Sequence, residues 1–131
     1  MLSKLLVHVT KRHKDKMTIC LRNLGIYVGQ DIFLLTLQAH GSLTQKELKE
    51  KLMVEFATIN KIVNRSEKRG LVTKTKAQND MRASIVKLTK SGEEVTVKIK
   101  ECWKKLEDDF FSVLNEEEKT QLLKLLSKLN K

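Results

Sequence analysis

SLTQKELKEKLMVEFATINKIVNRSEKRGLVTKTKAQNDMRASIVKLTKSG, running from Ser42 to Gly92, is the stretch whose reading decides the rest of the chain. It opens on Thr44-Gln45-Lys46-Glu47. The Thr44 hydroxyl can accept from an exposed amide and the Glu47 side chain can reach back, which makes a capping box and starts a helix. Leu43, Leu48 and Leu52 give that short helix an apolar side. Met53-Val54 lead into a second helix, expected from Glu55 to Arg69 and stopped by Gly70 as a left-handed cap.

Residues three and four apart share a helix face. In the second helix Ile59, Ile62, Val63 and Ser66 therefore fall on one side, and Thr58, Lys61, Arg65 and Lys68 on the other. An apolar back with a basic, hydrogen-bonding front suits a helix lying in the major groove of DNA, because phosphates need cations and base edges need donors and acceptors. A solvated amphipathic helix would divide the same way, since basic faces are common. The residues that follow favour the first reading. Leu71 to Ala77 is rich in β-branched residues, with Lys74 and Lys76 on one side of the pleat, and Ser84 to Leu88 reads as a second short strand. Between them Gln78 to Ala83 is polar and turn-forming, and puts Asp80 and Arg82 at the tip of a hairpin that a groove could receive. Thr89 is placed to cap a long helix.

Three ordered motifs here resemble the multiple-antibiotic-resistance regulator (MarR) family of bacterial transcription factors. They are Arg69-Gly70-Leu71-Val72 at the end of the second helix, Asp80-Met81-Arg82 in the wing, and Leu88-Thr89-Lys90-Ser91-Gly92 after it. The likeness continues through Leu114-Asn115-Glu116-Glu117-Glu118, similar to the acidic step that opens the family's last helix, and is weakest before Leu24. It implies a mainly α fold with a small β-hairpin wing: one domain over 1–131, a winged helix-turn-helix head over 42–92, and dimerisation helices over 1–24 and 93–131. The implied function is a homodimeric DNA-binding transcriptional regulator, a repressor by expectation, on an inverted-repeat operator. Thr58, Lys61 and Arg65 would enter the major groove and Arg82 the minor groove, with Lys68, Lys74, Lys76 and Asp80 completing the DNA-binding set. Family members commonly bind a small aromatic effector between frame and head, where Tyr27, Phe33 and His40 are the candidates.

Two positions depart from the family pattern. Glu55-Phe56 stands where a small capping residue and then Pro or another small residue is usual. A carboxylate there suits the helix dipole and repels phosphate, although it could accept from a cytosine amine. Ser66 replaces a Leu that normally anchors the recognition helix, which predicts a head that is less tightly packed or docks differently. Both departures favour the alternative of a winged-helix protein-interaction module without DNA binding, and the basic wing opposes it.

The totals agree with one domain. The chain has 131 residues, 40% of them apolar, with no Pro and five Gly, so helix is expected almost throughout and the wing is the one strand region expected. Its net charge of +10 is concentrated: residues 55–90 hold nine Lys or Arg against three acids, while residues 91–131 hold eight against nine. A positive field on the proposed reading head favours a polyanionic partner.

The first helix carries a stripe of Leu2, Leu6, Val9, His13, Met17, Cys20 and Leu24 at helical spacing, too long for a small domain's own core. Asp31 to Leu37 reads as a core helix, and from Glu94 to Leu114 the apolar residues Val95, Val97, Ile99, Cys102, Trp103, Leu106, Phe110, Phe111 and Val113 follow the spacing of a long amphipathic one. Asn115 can cap a last helix whose Leu122, Leu123, Leu125, Leu126 and Leu129 form too broad an apolar face to stay exposed. Burial against a second subunit is the expectation.

No phosphate-binding glycine loop, nucleophile elbow or His-Glu-x-x-His segment is present, so no enzyme, cofactor or metal is expected. His13 on the apolar stripe reads as a core or interface histidine. Two cysteines, Cys20 and Cys102, do not make a disulfide framework in a chain of this size, and both are expected as packed free thiols. Some members of the resembled family sense oxidants through a thiol near the N-terminal helices, which makes Cys20 the candidate redox residue. Its apolar setting, with His13 about 10 Å away along the axis at 1.5 Å per residue, argues against activation. Oxidation is accordingly not expected to be the main signal. No stretch approaches the roughly 18 apolar residues of a membrane span, no membrane partner is expected, and the cytoplasm is the expected location. Asn64-Arg65-Ser66 matches a glycosylation sequon but lies inside the proposed recognition helix and is set aside.

Overall fold

The computed structural model describes the whole chain apart from Gln78 and Asn79, and its side chains apart also from Ala77 and residues 80–82. Among the described residues six helices and three strands follow one another in the order α1 (Leu2–Arg22), α2 (Gln30–His40), β1 (Ser42–Thr44), α3 (Gln45–Leu52), α4 (Phe56–Lys68), β2 (Val72–Ala77), β3 (Asp80–Leu88), α5 (Lys90–Phe110) and α6 (Glu116–Leu129). The strands form one antiparallel sheet with β3 in the middle.

The local signals at helix ends act as the residues dictate. Thr44 accepts from the Glu47 amide and Glu47 accepts from the Thr44 amide, each at 3.0 Å. Asn115 and Glu118 repeat the arrangement at the start of α6, at 2.8 and 2.9 Å. Thr89 caps α5 by accepting from the Gly92 amide at 3.1 Å. The same Thr89 hydroxyl donates to the Gly70 carbonyl at 2.6 Å, and its amide donates to Leu71 at 3.0 Å. These bonds give the Leu-Thr-x-x-Gly motif its physical meaning. A Cβ on Gly92 would collide with the Leu71 carbonyl oxygen, so only glycine lets the first turn of α5 rest on the chain leaving α4. Gly70, at φ +72°, makes the left-handed turn that sends the chain from α4 into the wing.

Two features of the sheet differ from expectation. Ser42–Thr44 forms a strand, pairing Ser42 with Lys87, Leu43 with Val86 and Thr44 with Ile85. Three residues are too few to carry a strand signal of their own, and it is the free edge of β3 that recruits them. The wing is also longer than expected: β3 begins at Asp80, which pairs with Ala77, so Asp80 and Arg82 belong to a strand and not to a turn reaching Ala83.

One core joins head and frame. Phe33, Leu34 and Leu37 of α2 are fully buried against Leu48, Ile59, Val63 and Val86 of the head and against Leu21, Ile99 and Leu106 of α1 and α5. Each such side chain contributes about 1.5–3 kcal/mol by leaving water. The head is therefore set on its frame through α2, and its position relative to α5 is fixed by packing.

Candidate nucleic-acid interface

Helix α4 is held from behind. Ile59, Ile62, Val63 and Ser66 are buried, and Thr58, Lys61, Arg65 and Lys68 are exposed, as the spacing predicted. Ser66 does not loosen the head. Its hydroxyl is wholly buried and accepts from the Gln30 side-chain amide at 3.0 Å, so a specific polar contact stands where an apolar anchor was expected. The connector between α1 and α2 makes two more contacts with the C-terminal half of α4. The Arg65 guanidinium lies 5.3 Å from the centre of the Tyr27 ring, and Arg69 donates to the Gly25 carbonyl. Arg65 is thereby partly preorganised, and a stacked guanidinium keeps its outer edge free to donate.

At the N-terminal end of α4 Glu55 is the capping residue by backbone conformation, without a side-chain cap bond, and it is exposed. Thr58 and Ile59 donate instead to the Glu55 carbonyl, at 3.0 and 3.2 Å.

The wing leans on the same helix. Lys74 of β2 donates to the Asn64 side-chain carbonyl at 3.1 Å, which ties one wing lysine to the exposed face of α4, while Lys76 stands exposed farther along. Asn64 was passed over in the sequence because its only motif was a glycosylation sequon. Its spacing from Lys61 and Lys68 already placed it on the front face, and its amide is the group that pairs bidentately with adenine. The side chains of Asp80 and Arg82 lie outside the described residues.

The three candidate effector residues are not brought together. Tyr27 lines a cleft of about 390 Å³ beside α4, with Ile32, Leu52, Val54, Thr58 and Lys61. Phe33 is fully buried in the core, and His40 is exposed on a different concavity with Gln38 and Lys100. His13 packs edge-on against Phe110, ring centres 5.2 Å apart, and among the described residues no cluster of His, Cys, Asp or Glu could hold a metal.

Cys20 and Cys102 are not free thiols: a disulfide joins them. The sequence hid this because they are 82 residues apart and both belong to apolar stripes. Packing those stripes against each other brings α1 onto α5 with the two Cα atoms 6.0 Å apart, inside the range a disulfide spans.

No described helix is long and apolar enough to cross a membrane. A recognition helix supported by α3, a two-stranded wing and a frame of long helices define a winged helix-turn-helix protein. The MarR family model matches residues 32–84. The organic hydroperoxide resistance transcriptional regulator of Bacillus subtilis (strain 168) is 32% identical over 84 residues, 64% of this chain and 54% of that protein, so the match spans about half of that relative. An HTH-type transcriptional regulator of Bacillus cereus (strain ATCC 10987 / NRS 248) is 28% identical over 127 residues, 96% of this chain and 84% of the relative. In structure, a cysteine-to-serine variant of MarR from E. coli complexed with operator DNA superposes with a TM-score of 0.88 at 25% identity, covering 98% of this chain and 92% of that one. The chain is similar to MarR-family proteins in sequence and in fold, and the relatives it matches are transcriptional regulators.

Proposed function

We propose that this protein is a homodimeric transcriptional repressor that binds an inverted-repeat operator, with α4 in the major groove and the wing along the minor groove. The observation that carries the reading is the front of α4. Thr58, Lys61, Asn64, Arg65 and Lys68 are exposed together on a helix whose back is wholly engaged with its own chain. A solvated face would need no such support, whereas a helix that must present donors to base edges gains from being held. Lys61 and Lys68 supply charge to phosphates, Asn64 and Arg65 supply paired donors to bases, and Lys74 and Lys76 extend the cationic surface along the wing. Arg82 and Asp80 keep their sequence-derived roles, the first as the minor-groove cation and the second as its orienting carboxylate. Ser66 no longer favours a protein-interaction module, since its hydroxyl is accounted for inside the head.

Dimerisation is supported by the frame. Leu123, Leu125, Leu126 and Leu129 of α6 and Leu2, Leu5 and Leu6 of α1 are exposed. Apolar residues arrayed along two neighbouring terminal elements are far more than a monomer scatters over its surface. A two-fold dimer would present two copies of α4 to half-sites about one helical turn apart. The cleft beside Tyr27 is open to a small aromatic effector, which would touch Thr58 and Lys61 and so compete with DNA. A regulator of this kind works in the cytoplasm, where the chromosome is.

Selection of bound sites from a random duplex pool tests the reading. An inverted repeat is expected, and enrichment of no sequence would overturn the DNA-reading role.

A further inference from the structure

Glu55 is the one acid between Lys51 and Ser66, and it stands at the N-terminal end of α4, the end of a groove-bound helix whose residues contact base edges. We propose that Glu55 is a specificity-determining residue: its carboxylate accepts from the N4 amine of one cytosine in each operator half-site and so selects that base. The inference rests on the DNA-binding reading and adds to it a base that the operator must contain.

The carboxylate is not used by its own chain. An N-cap side chain ordinarily accepts from the second or third amide of its helix, as Thr44, Thr89 and Asn115 do here. Glu55 has the extended backbone of a cap, with φ −71° and ψ 153°, yet its side chain makes no cap bond. Glutamate is one methylene longer than aspartate, which carries the carboxylate past those amides, and the Thr58 amide donates instead to the Glu55 backbone carbonyl at 3.0 Å. No ion pair among the described residues engages it either. Those pairs join Lys11 to Asp15, Lys104 to Asp108 and Lys119 to Glu116, all on α1, α5 and α6.

The surroundings leave room for a base edge. Glu55, Ala57 and Thr58 are all exposed, and Ala57 ends at a methyl group, so no bulky side chain shields the first turn of α4 on that side. Lys61, the next cation along the helix, lies six residues on, about 9 Å along the axis at 1.5 Å per residue. That distance lets the two residues serve different base pairs.

The chemistry then narrows the base. A carboxylate only accepts. Phosphates repel it, as do the acceptor atoms of guanine and thymine, and the donors left in the major groove are cytosine N4 and adenine N6. Adenine sets its N7 acceptor beside N6, where it would face the second carboxylate oxygen with a lone pair. Cytosine has no such neighbour on its own edge. Repulsion from phosphates acts on every duplex alike, so a carboxylate at this place weakens binding everywhere unless a base donor offsets it.

The test selects bound sites from a random duplex pool with wild type, Glu55→Ala and Glu55→Gln, and titrates each protein against the wild-type operator and an unrelated duplex. Wild type should select cytosine at one symmetry-related position of each half-site. Glu55→Ala should lose that preference and keep the rest of the motif, and Glu55→Gln should select adenine there, because an amide offers the donor and acceptor that match adenine N7 and N6. Changing the cytosine in one half-site should weaken wild type about 5- to 140-fold, the usual worth of a base contact, and leave Glu55→Ala nearly unaffected. Affinity for the unrelated duplex should hold or rise in both variants as a negative charge is lost. An unchanged motif with tighter binding of both duplexes would reduce Glu55 to a repulsive charge and overturn the proposal. Equal weakening on both duplexes with a lower melting temperature would make Glu55 a structural cap and overturn it too. A wild-type motif with no cytosine at a Glu55-dependent position ends this inference alone, whereas selection of no sequence by wild type ends the DNA-binding reading and this inference with it.

Discussion

Helices α4 and α6 are both amphipathic, and the chain treats them oppositely. Helix α4 sets three apolar side chains and Ser66 into a finished core, whereas α6 buries no residue at all and leaves Leu123 at 68% and Leu129 at 76% exposure. The difference teaches that the head is complete within one chain, whereas the frame, on the proposed reading, is completed by a second copy. An apolar face of this size is costly in water, so the two halves should answer differently to mutation and to protein concentration.

The largest effect is expected from breaking the frame. Leu126→Glu together with Leu129→Glu should give a monomer in sedimentation, and its affinity for an inverted repeat should fall by about 100-fold or more as two linked half-site contacts become one. Wild-type protein that sediments only as monomer at micromolar concentration would remove the contrast between the helices altogether.

Breaking the front of the head should leave the dimer intact. Lys61→Ala is expected to cost about 1–3 kcal/mol of binding and, if Lys61 reads a base, to relax preference at one operator position. Arg82→Ala should instead weaken many sequences alike and lower the salt dependence by about one unit, with Asp80→Ala a partial copy of it. Titrations at several salt concentrations separate the two, and unchanged affinity for Arg82→Ala would take that residue out of the interface.

Removing a polar group from the head and an apolar one from the frame sharpens the comparison further. Ser66→Ala strands the buried Gln30 amide and should lower stability by about 1–3 kcal/mol. Leu123→Ala should change the stability of dilute monomer by less than about 0.5 kcal/mol, as exposed substitutions do, and should matter only where dimer is present. Denaturant melts at low and high protein concentration check both. A serine that proves more dispensable than a leucine in dilute solution would invert the argument.

What the sequence disclosed follows the range of each interaction. Capping at Thr44, Thr89 and Asn115, the turn at Gly70 and the two faces of α4 are set by residues within four positions of one another, and all were legible. Ser42–Thr44 became a strand through an edge more than forty residues away, and Ser66 found Gln30 across 36 residues. The cystine needed α1 and α5 to be packed first. Composition argued against it, because a count of two cysteines carries no geometry. Asn64 was legible by spacing and was obscured by the sequon it opens. Tyr27, Phe33 and His40 were grouped by resemblance, and the fold disperses them because no periodicity ties them to one face.

The smallest effects come from the two capping boxes, one in each half. Thr44→Ala should cost about 0.5–2 kcal/mol at any protein concentration, since α3 packs on the head of its own chain through the buried Gln45 and Leu48. Asn115→Ala removes the same kind of bond from α6, and its cost should grow with concentration as α6 acquires a partner surface. The head box also carries a pH signature. The Thr44 backbone and side-chain hydrogen bonds hold the Glu47 carboxyl below its ordinary value of 4.5. A carboxyl whose folded pKa is lowered contributes its stability fully above the unfolded value and loses it as pH falls through the folded one. Glu47→Gln should therefore flatten the acid limb of stability below pH 4.5 slightly while leaving neutral stability almost unchanged, because an exposed group adds little. Melts between neutral and acid pH decide it: an acid limb identical in Glu47→Gln and wild type would mean that the box holds geometry alone, and that Thr44 does its work without the charge.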